Sequence, residues 1–247
     1  MTRLASIGGA ELLLLWRNWF ALSNALLLPP FFGLLFIPQL AEAGMDAATG
    51  ATLAGGMIGV ILAIVVYYNL VSAYVARREE LSLKRLRSGT LNAAEILAGT
   101  ASPAVVIALA QSLLIVVITA AHLDLPMPAN PVLLAIGVIG GVVMFVVLAA
   151  ASAIVTGTVE LAQITTMPML LACFLGAGLV FPLDTLPGPV ETAFTLLPLG
   201  PIIELITIGW AGTGTLTDAI RPLLLLTAWT VGGTLIIRRW FRWEPRR

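Results

Sequence analysis

The chain has 247 residues, 59% of them hydrophobic and 11% charged, too little polar surface to cover a soluble globule of that length. Its 13 Lys and Arg balance 13 Asp and Glu, and the basic residues form no stripe over a folded face, which argues against a nucleic-acid partner. The single cysteine, Cys173, lies in an apolar run and can make no internal disulfide.

In chain order, the first element is an amphipathic stretch, Ala10 to Trp19, with Leu12 to Leu15 beside Glu11, Arg17 and Asn18. This mix predicts a short helix lying in the membrane interface within residues 1–19, or else the start of a longer first span. The same stretch weakly resembles a signal peptide, but Trp16-Arg17-Asn18-Trp19 interrupts it and no small-residue cleavage site follows, so it reads as retained. Crossing a hydrocarbon core of about 30 Å takes about 20 apolar residues. Six segments qualify or nearly so: Phe20 to Pro38, Thr52 to Ala76, Pro103 to Ala121, Pro131 to Thr156, Thr165 to Phe181 and Ala219 to Ile237. Pro29 and Pro30 should kink the first. Gly55 and Gly59, and Gly137 and Gly141, form two GxxxG pairs, which packing within one bundle and dimerisation explain equally well.

Between the fifth and sixth segments, Val190 to Leu197 and Ile202 to Trp210 are apolar but too short to span. Gly188-Pro189 and Gly200-Pro201 stand where helices can begin. Two short helices that dip into the outer leaflet and return are expected within residues 182–218, buried in protein or lining a cavity.

Charge sets the sidedness. Of the 13 basic residues, 12 fall in three patches: Arg3 and Arg17; Arg77, Arg78, Lys84, Arg85 and Arg87; and Arg238, Arg239, Arg242, Arg246 and Arg247. Cytoplasmic loops retain Lys and Arg, so both termini and the loop after the second span should be cytoplasmic, in a cell inner (plasma) membrane. Trp16, Trp19, Tyr67, Tyr68, Tyr74, Trp240 and Trp243 cluster near that interface, where aromatic rings anchor helices. Trp229 lies mid-span, read as a packing ring in preference to a substrate-facing one.

Catalytic chemistry is poorly supported. The only lysine, Lys84, stands between Leu83 and Arg85, so no phosphate-cradling loop ends in Gly-Lys-Ser/Thr. His122 is the only histidine and cannot build a zinc site with one cysteine. Glu79-Glu80 lacks the following Arg and the later histidines of an intramembrane glutamate protease, and no GxSxG is present. No catalytic residue, cofactor or metal is expected. The span cores hold no charge, since Arg221 lies in the first turn of the sixth and can reach the outer interface, and among their neutral polar groups Asn24, Asn69, Ser72 and Gln111, with Trp229, are the candidate substrate pathway.

Two stretches carry a family resemblance. The first runs from Arg77-Arg-Glu-Glu-Leu-Ser-Leu-Lys-Arg-Leu-Arg through Glu95 to Gly99. The second runs from Pro168 through Gly176-Ala-Gly178, Phe181-Pro182, Leu186-Pro187 and Leu197-Pro198-Leu199-Gly-Pro201 to Glu204. With six spans, a basic loop after the second and a Pro-rich element before the sixth, the chain resembles the permease subunit of an ABC type-2 exporter, closest to the daunorubicin-resistance group. Where relatives often have Thr-Pro-Leu in the loop, this chain has Gly89-Thr90-Leu91.

The resemblance implies an all-α integral membrane fold, one permease domain over residues 1–247 with a coupling loop at 77–100. It implies a bacterial multidrug-efflux or antibiotic-resistance role, and a pathway without fixed charge is compatible with a drug, lipid or glycolipid and does not exclude a polysaccharide. ATP is bound by a separate ABC ATPase subunit, and a second permease chain and membrane lipid are the other partners. Arg78, Glu79, Glu80, Lys84, Arg85 and Arg87 are the implied ATPase-coupling residues, with the helix from about Arg78 to Arg87 acting as a lever. A stand-alone carrier or channel, or a scaffold without transport, is the alternative.

Overall fold

A computed structural model of the chain describes residues 47–80, 92–122, 127–177, 186–212, 214 and 217–241. The interfacial helix and the first span, with Asn24, lie outside the described residues. Among the described residues every regular element is helical. The second span is continuous: α1 (Ala47–Ile61), a π-helical stretch (Leu62–Tyr68) and α2 (Asn69–Glu79). There follow α3 (Ala93–His122), α4 (Pro131–Val155), α5 (Val159–Thr165), α6 (Met167–Gly176), α7 (Gly188–Thr195), α8 (Gly200–Ala211) and α9 (Ile220–Trp240). By length and apolarity, five helical stretches among the described residues can cross a membrane: Thr49–Glu79, Ala93–Ala121, Pro131–Val155, Val159–Gly176 and Ile220–Trp240.

Local chemistry explains the boundaries. The third span starts at Ala93, nearly three turns before Pro103, because Asn92 and Glu95 form a capping box. The Glu95 N–H donates to Asn92 Oδ1 and the Asn92 N–H to Glu95 Oε2, each at 2.8 Å. Asn130 caps α4, accepting from the Leu133 N–H at 3.1 Å, and Pro131 opens that helix without losing a needed donor. The predicted fifth span begins earlier than Thr165, at Val159, where Thr158 accepts from the Leu161 N–H, and it breaks at Thr166 before Pro168. Gly212 ends α8 in the left-handed conformation, φ 63°, which glycine adopts without strain. Hydroxyls inside the helices are spent on their own backbone: Thr100, Ser112, Thr227, Thr230 and Thr234 each donate to the carbonyl four residues back.

The short helices form as expected at Gly188-Pro189 and Gly200-Pro201, and their axes meet at 84°. The core is organised around the second of them. α8 lies in a cleft between α1 and α4, and both GxxxG pairs face it. A Cβ built on Gly59 would stand 2.7 Å from Leu199 Cδ1, and one on Gly55 3.3 Å from Ile203. On the other wall, Gly137 meets Leu205 and Ile206 at 3.1 and 3.2 Å, and Gly141 meets Ile202 at 2.8 Å. Both glycine pairs are therefore internal packing surfaces that let a third helix approach.

Gly141 lies ten residues into α4, about 15 Å along its axis. The α7–α8 turn therefore reaches the middle of the bundle, and α8 climbs back along α4. At the top, the Asn130 N–H donates to Gly209 O at 2.8 Å and the Ala129 N–H to Trp210 O at 3.2 Å, satisfying the end of α8. The second span is the most buried, with 67% of its apolar window inside, against 17% for α9, so it is the central post of the described bundle.

Gly209 and Gly232 give a paired test. A Cβ on Gly209 would sit 2.6 Å from the Leu134 backbone nitrogen, which cannot move aside, whereas nothing lies within 4 Å of one on Gly232. Gly209→Ala should destabilise the protein by about 1–3 kcal/mol. Gly232→Ala should be neutral or stabilising by up to about 1 kcal/mol. Thermal unfolding of the two variants in detergent checks the difference in sign.

Candidate functional site

Two places concentrate polar groups in the described structure, one at each end of the second span. At the Glu80 end, α2 runs to Glu79, three residues past the predicted end at Ala76, which keeps Arg78 on the helix. Tyr67, Tyr74 and Arg78 are spaced seven and four residues apart, so they share one face. That face is internal: the three are 0%, 1% and 2% exposed. The interface-anchor reading of Tyr67 and Tyr74 is corrected accordingly, because each ring has a buried polar partner for its hydroxyl. Tyr67 shares a hydrogen bond with the Ser152 hydroxyl at 3.0 Å and tilts against the Phe145 ring, while Tyr74 donates to Leu97 O at 2.9 Å.

The Arg78 guanidinium donates to Ala153 O at 2.9 Å, to Thr156 O, and to Gly157 O at 3.3 Å. These carbonyls lie at the C-terminal end of α4 and in the short elbow before α5. A helix leaves its last carbonyls without backbone donors, and its C-terminus carries partial negative charge, so a buried cation is favourable there. The elbow is braced further by Thr156, whose hydroxyl bonds Ser152 O at 3.0 Å and the Thr165 hydroxyl at 2.8 Å. Arg78 is thus turned inward and is not part of an exposed face, whereas Glu79 and Glu80 are exposed and Arg77 contacts Glu80 at 3.6 Å. Lys84, Arg85 and Arg87 lie outside the described residues.

The candidate pathway residues do not converge. Asn69 is exposed, Ser72 half-buried and Gln111 buried. Trp229 packs against the core, and its Nε1–H donates to Leu196 O at 2.9 Å, tying α9 to the turn between α7 and α8. The packing role explains both its place and its polar edge.

At the far end the structure reveals a cavity that the sequence reading did not anticipate. About 350 Å³ in volume, it is lined by Thr52, Gly176, Ala177, Thr195, Gly200, Ile203, Glu204, Thr207, Ile208 and Arg221. Five elements meet there: the start of α1, the end of α6, both short helices and the first turn of α9. Arg221 donates to the Thr195 hydroxyl at 2.6 Å, and Thr207 faces Thr52 at 3.5 Å. The cavity thus presents one carboxylate, one guanidinium and three hydroxyls against an apolar wall. Glu204 stands early in α8 and Arg221 in the first turn of α9. Their appearance inside otherwise apolar helix starts was the available signal.

The family model for ABC-2 type transporters matches residues 2–209. The chain belongs to the ABC-2 type transporter family. The match takes in the basic loop, the elbow and α8 as far as Gly209, and leaves α9 outside it. No curated protein matches the chain. An ABC-2 transporter of this kind is a multi-pass membrane permease, and members of the family typically work with an ATPase subunit.

Trp229→Phe keeps a smaller aromatic ring and loses the bond to Leu196. It should lower the unfolding temperature by about 2–4 °C, the loss of roughly 1 kcal/mol. Unchanged stability together with altered transport would instead make Trp229 a substrate contact.

Proposed function

We propose that this ABC-2 permease is the membrane half of an ATP-driven exporter that moves an amphipathic or hydrophobic substrate outward. Within the family, the chain's loop and Pro-rich stretches resemble the daunorubicin-resistance group, and a drug, lipid or glycolipid is the substrate class. ATP is hydrolysed by a separate subunit docked on the loop that follows α2, and a second permease chain completes the pathway. Apolar length supports six spans, the Lys and Arg pattern supports both termini in the cytoplasm, and the two short Gly-Pro-initiated helices support a re-entrant α7–α8 pair on the outside.

The family match over residues 2–209 is the observation that carries this reading. The two polar regions support its details. α2 is the end of the central post and carries Glu79, and Glu80, Lys84, Arg85 and Arg87 follow it in the chain, so a push on the loop acts on the bundle's core. The outer cavity, with its apolar wall beside Glu204 and Arg221, suits a molecule with an apolar body and a polar head.

Proteoliposomes test the proposal with a fluorescent anthracycline as probe. The chain reconstituted with its co-purified ATPase should move the dye only with ATP, and the chain alone should not. In the complex, Glu80→Ala or Arg85→Ala should abolish substrate-stimulated ATP hydrolysis while assembly persists. Dye movement by the chain alone without ATP would establish the carrier or channel alternative, and normal stimulation in both variants would remove the loop's lever role.

A further inference from the structure

The Arg78 contacts have a consequence beyond burial. A guanidinium offers five donors in a planar fork, and here three carbonyls from two successive turns of the chain, Ala153, Thr156 and Gly157, converge on it. A lysine ammonium, with its donors on one atom, cannot span the same set. Breaking such an arrangement leaves a charge and several carbonyls buried without partners, which is far costlier than moving the attached helices together.

The elbow is equally committed on its other side. Residues 156–158 are its whole length, Thr156 bonds both Ser152 and Thr165, and Thr158 caps α5. Thr166, fully buried, returns its hydroxyl to Ala162 O at 2.7 Å. Above Arg78 on the same face, Tyr74 bonds the first turns of α3, and Tyr67 bonds α4 through Ser152. The end of α2 is therefore fastened to α4 and α5, while Glu79 and Glu80, the residues that follow Arg78, are free of the core.

We propose that Arg78 is a positioning residue, a latch that makes α2, the α4 end and α5 one rigid body, so that displacement of the loop after Glu80 carries α4 and α5 with it. The latch itself rests on the contacts above, and its role in transmission rests on the ATP-driven reading. Movement delivered to α2 alone would otherwise be absorbed at the elbow, the weakest point between the fourth and fifth spans. The continuous second span also lies along α8, so the same rigid body reaches the floor of the outer cavity through Gly55 and Gly59.

The test places spin labels at Glu79→Cys and Glu160→Cys, both exposed positions on either side of the latch, in the full chain in lipid nanodiscs. The native Cys173 is buried and remains unlabelled. Electron paramagnetic resonance should give one narrow label separation with Arg78 present, unchanged between nucleotide-free and ADP–vanadate-trapped complexes. Arg78→Gln should broaden it into two or more separations without nucleotide, and Arg78→Lys, which keeps the charge and guards against a failure to fold, should broaden it too. In the assembled complex, either variant should retain basal ATP hydrolysis within about twofold and lose ATP-driven dye transport at least tenfold.

A narrow, unaltered separation in both variants overturns the latch, as does a separation that changes on nucleotide trapping with Arg78 in place. The nucleotide-free arm needs no ATPase. Broadening there, with no transport by any form of the complex, upholds the latch and overturns the ATP-driven reading.

Discussion

The described structure depends on one close approach: a helix of 12 residues, α8, seated between two walls of glycine. In lipid, apolar side chains gain little by leaving the solvent, so helices associate through van der Waals fit and satisfied backbone groups. Gly55 and Gly59 on one side and Gly137 and Gly141 on the other remove the side chains that would hold α8 away. Ile202, Ile203, Leu205, Ile206 and Trp210 fill the space so created. At the turn Leu199 is buried, Trp229 donates to Leu196 O, and the carbonyl end of α8 is satisfied by the N–H groups of Ala129 and Asn130.

From that packing follows a division of labour between the two ends of the second span. At one end its last turn is welded to the α4–α5 elbow through Arg78. At the other, its first turns help to line a cavity that holds Glu204 and Arg221. The span between is uninterrupted from Thr49 to Glu79, with a π-helical stretch at its centre where Leu62 packs beside Gly141. A permease that converts movement of a cytoplasmic loop into a change at the outer face needs such a continuous element, and on the proposed reading this span is it.

Hydropathy made the spans legible and proline placed the short helices, because both signals are local. Gly188-Pro189 and Gly200-Pro201 mark α7 and α8 to the residue. The start of α3 was legible as well, in Asn92 and Glu95, but Pro103 drew the boundary away from it. What the sequence left open was direction. A GxxxG pair says that something comes close without saying what, and only the fold shows that both pairs receive the same helix. The sequence likewise counts Arg78 with its basic neighbours. Its inward turn depends on where the far end of α4 falls, 75 residues later in the chain, which no local pattern encodes. Glu204 and Arg221 meet at one cavity only because α7 and α8 fold back between α6 and α9.

On the proposed reading α7 and α8 enter the bundle and return to the face they came from. Gly188 and Thr217 bracket the pair, and both positions are exposed. Gly188→Cys and Thr217→Cys, expressed separately in intact cells, should both react with a membrane-impermeant maleimide added outside, over a background of buried Cys173. Labelling of one position only from outside and the other only after the membrane is opened would mean that the pair crosses, and would overturn the re-entrant arrangement.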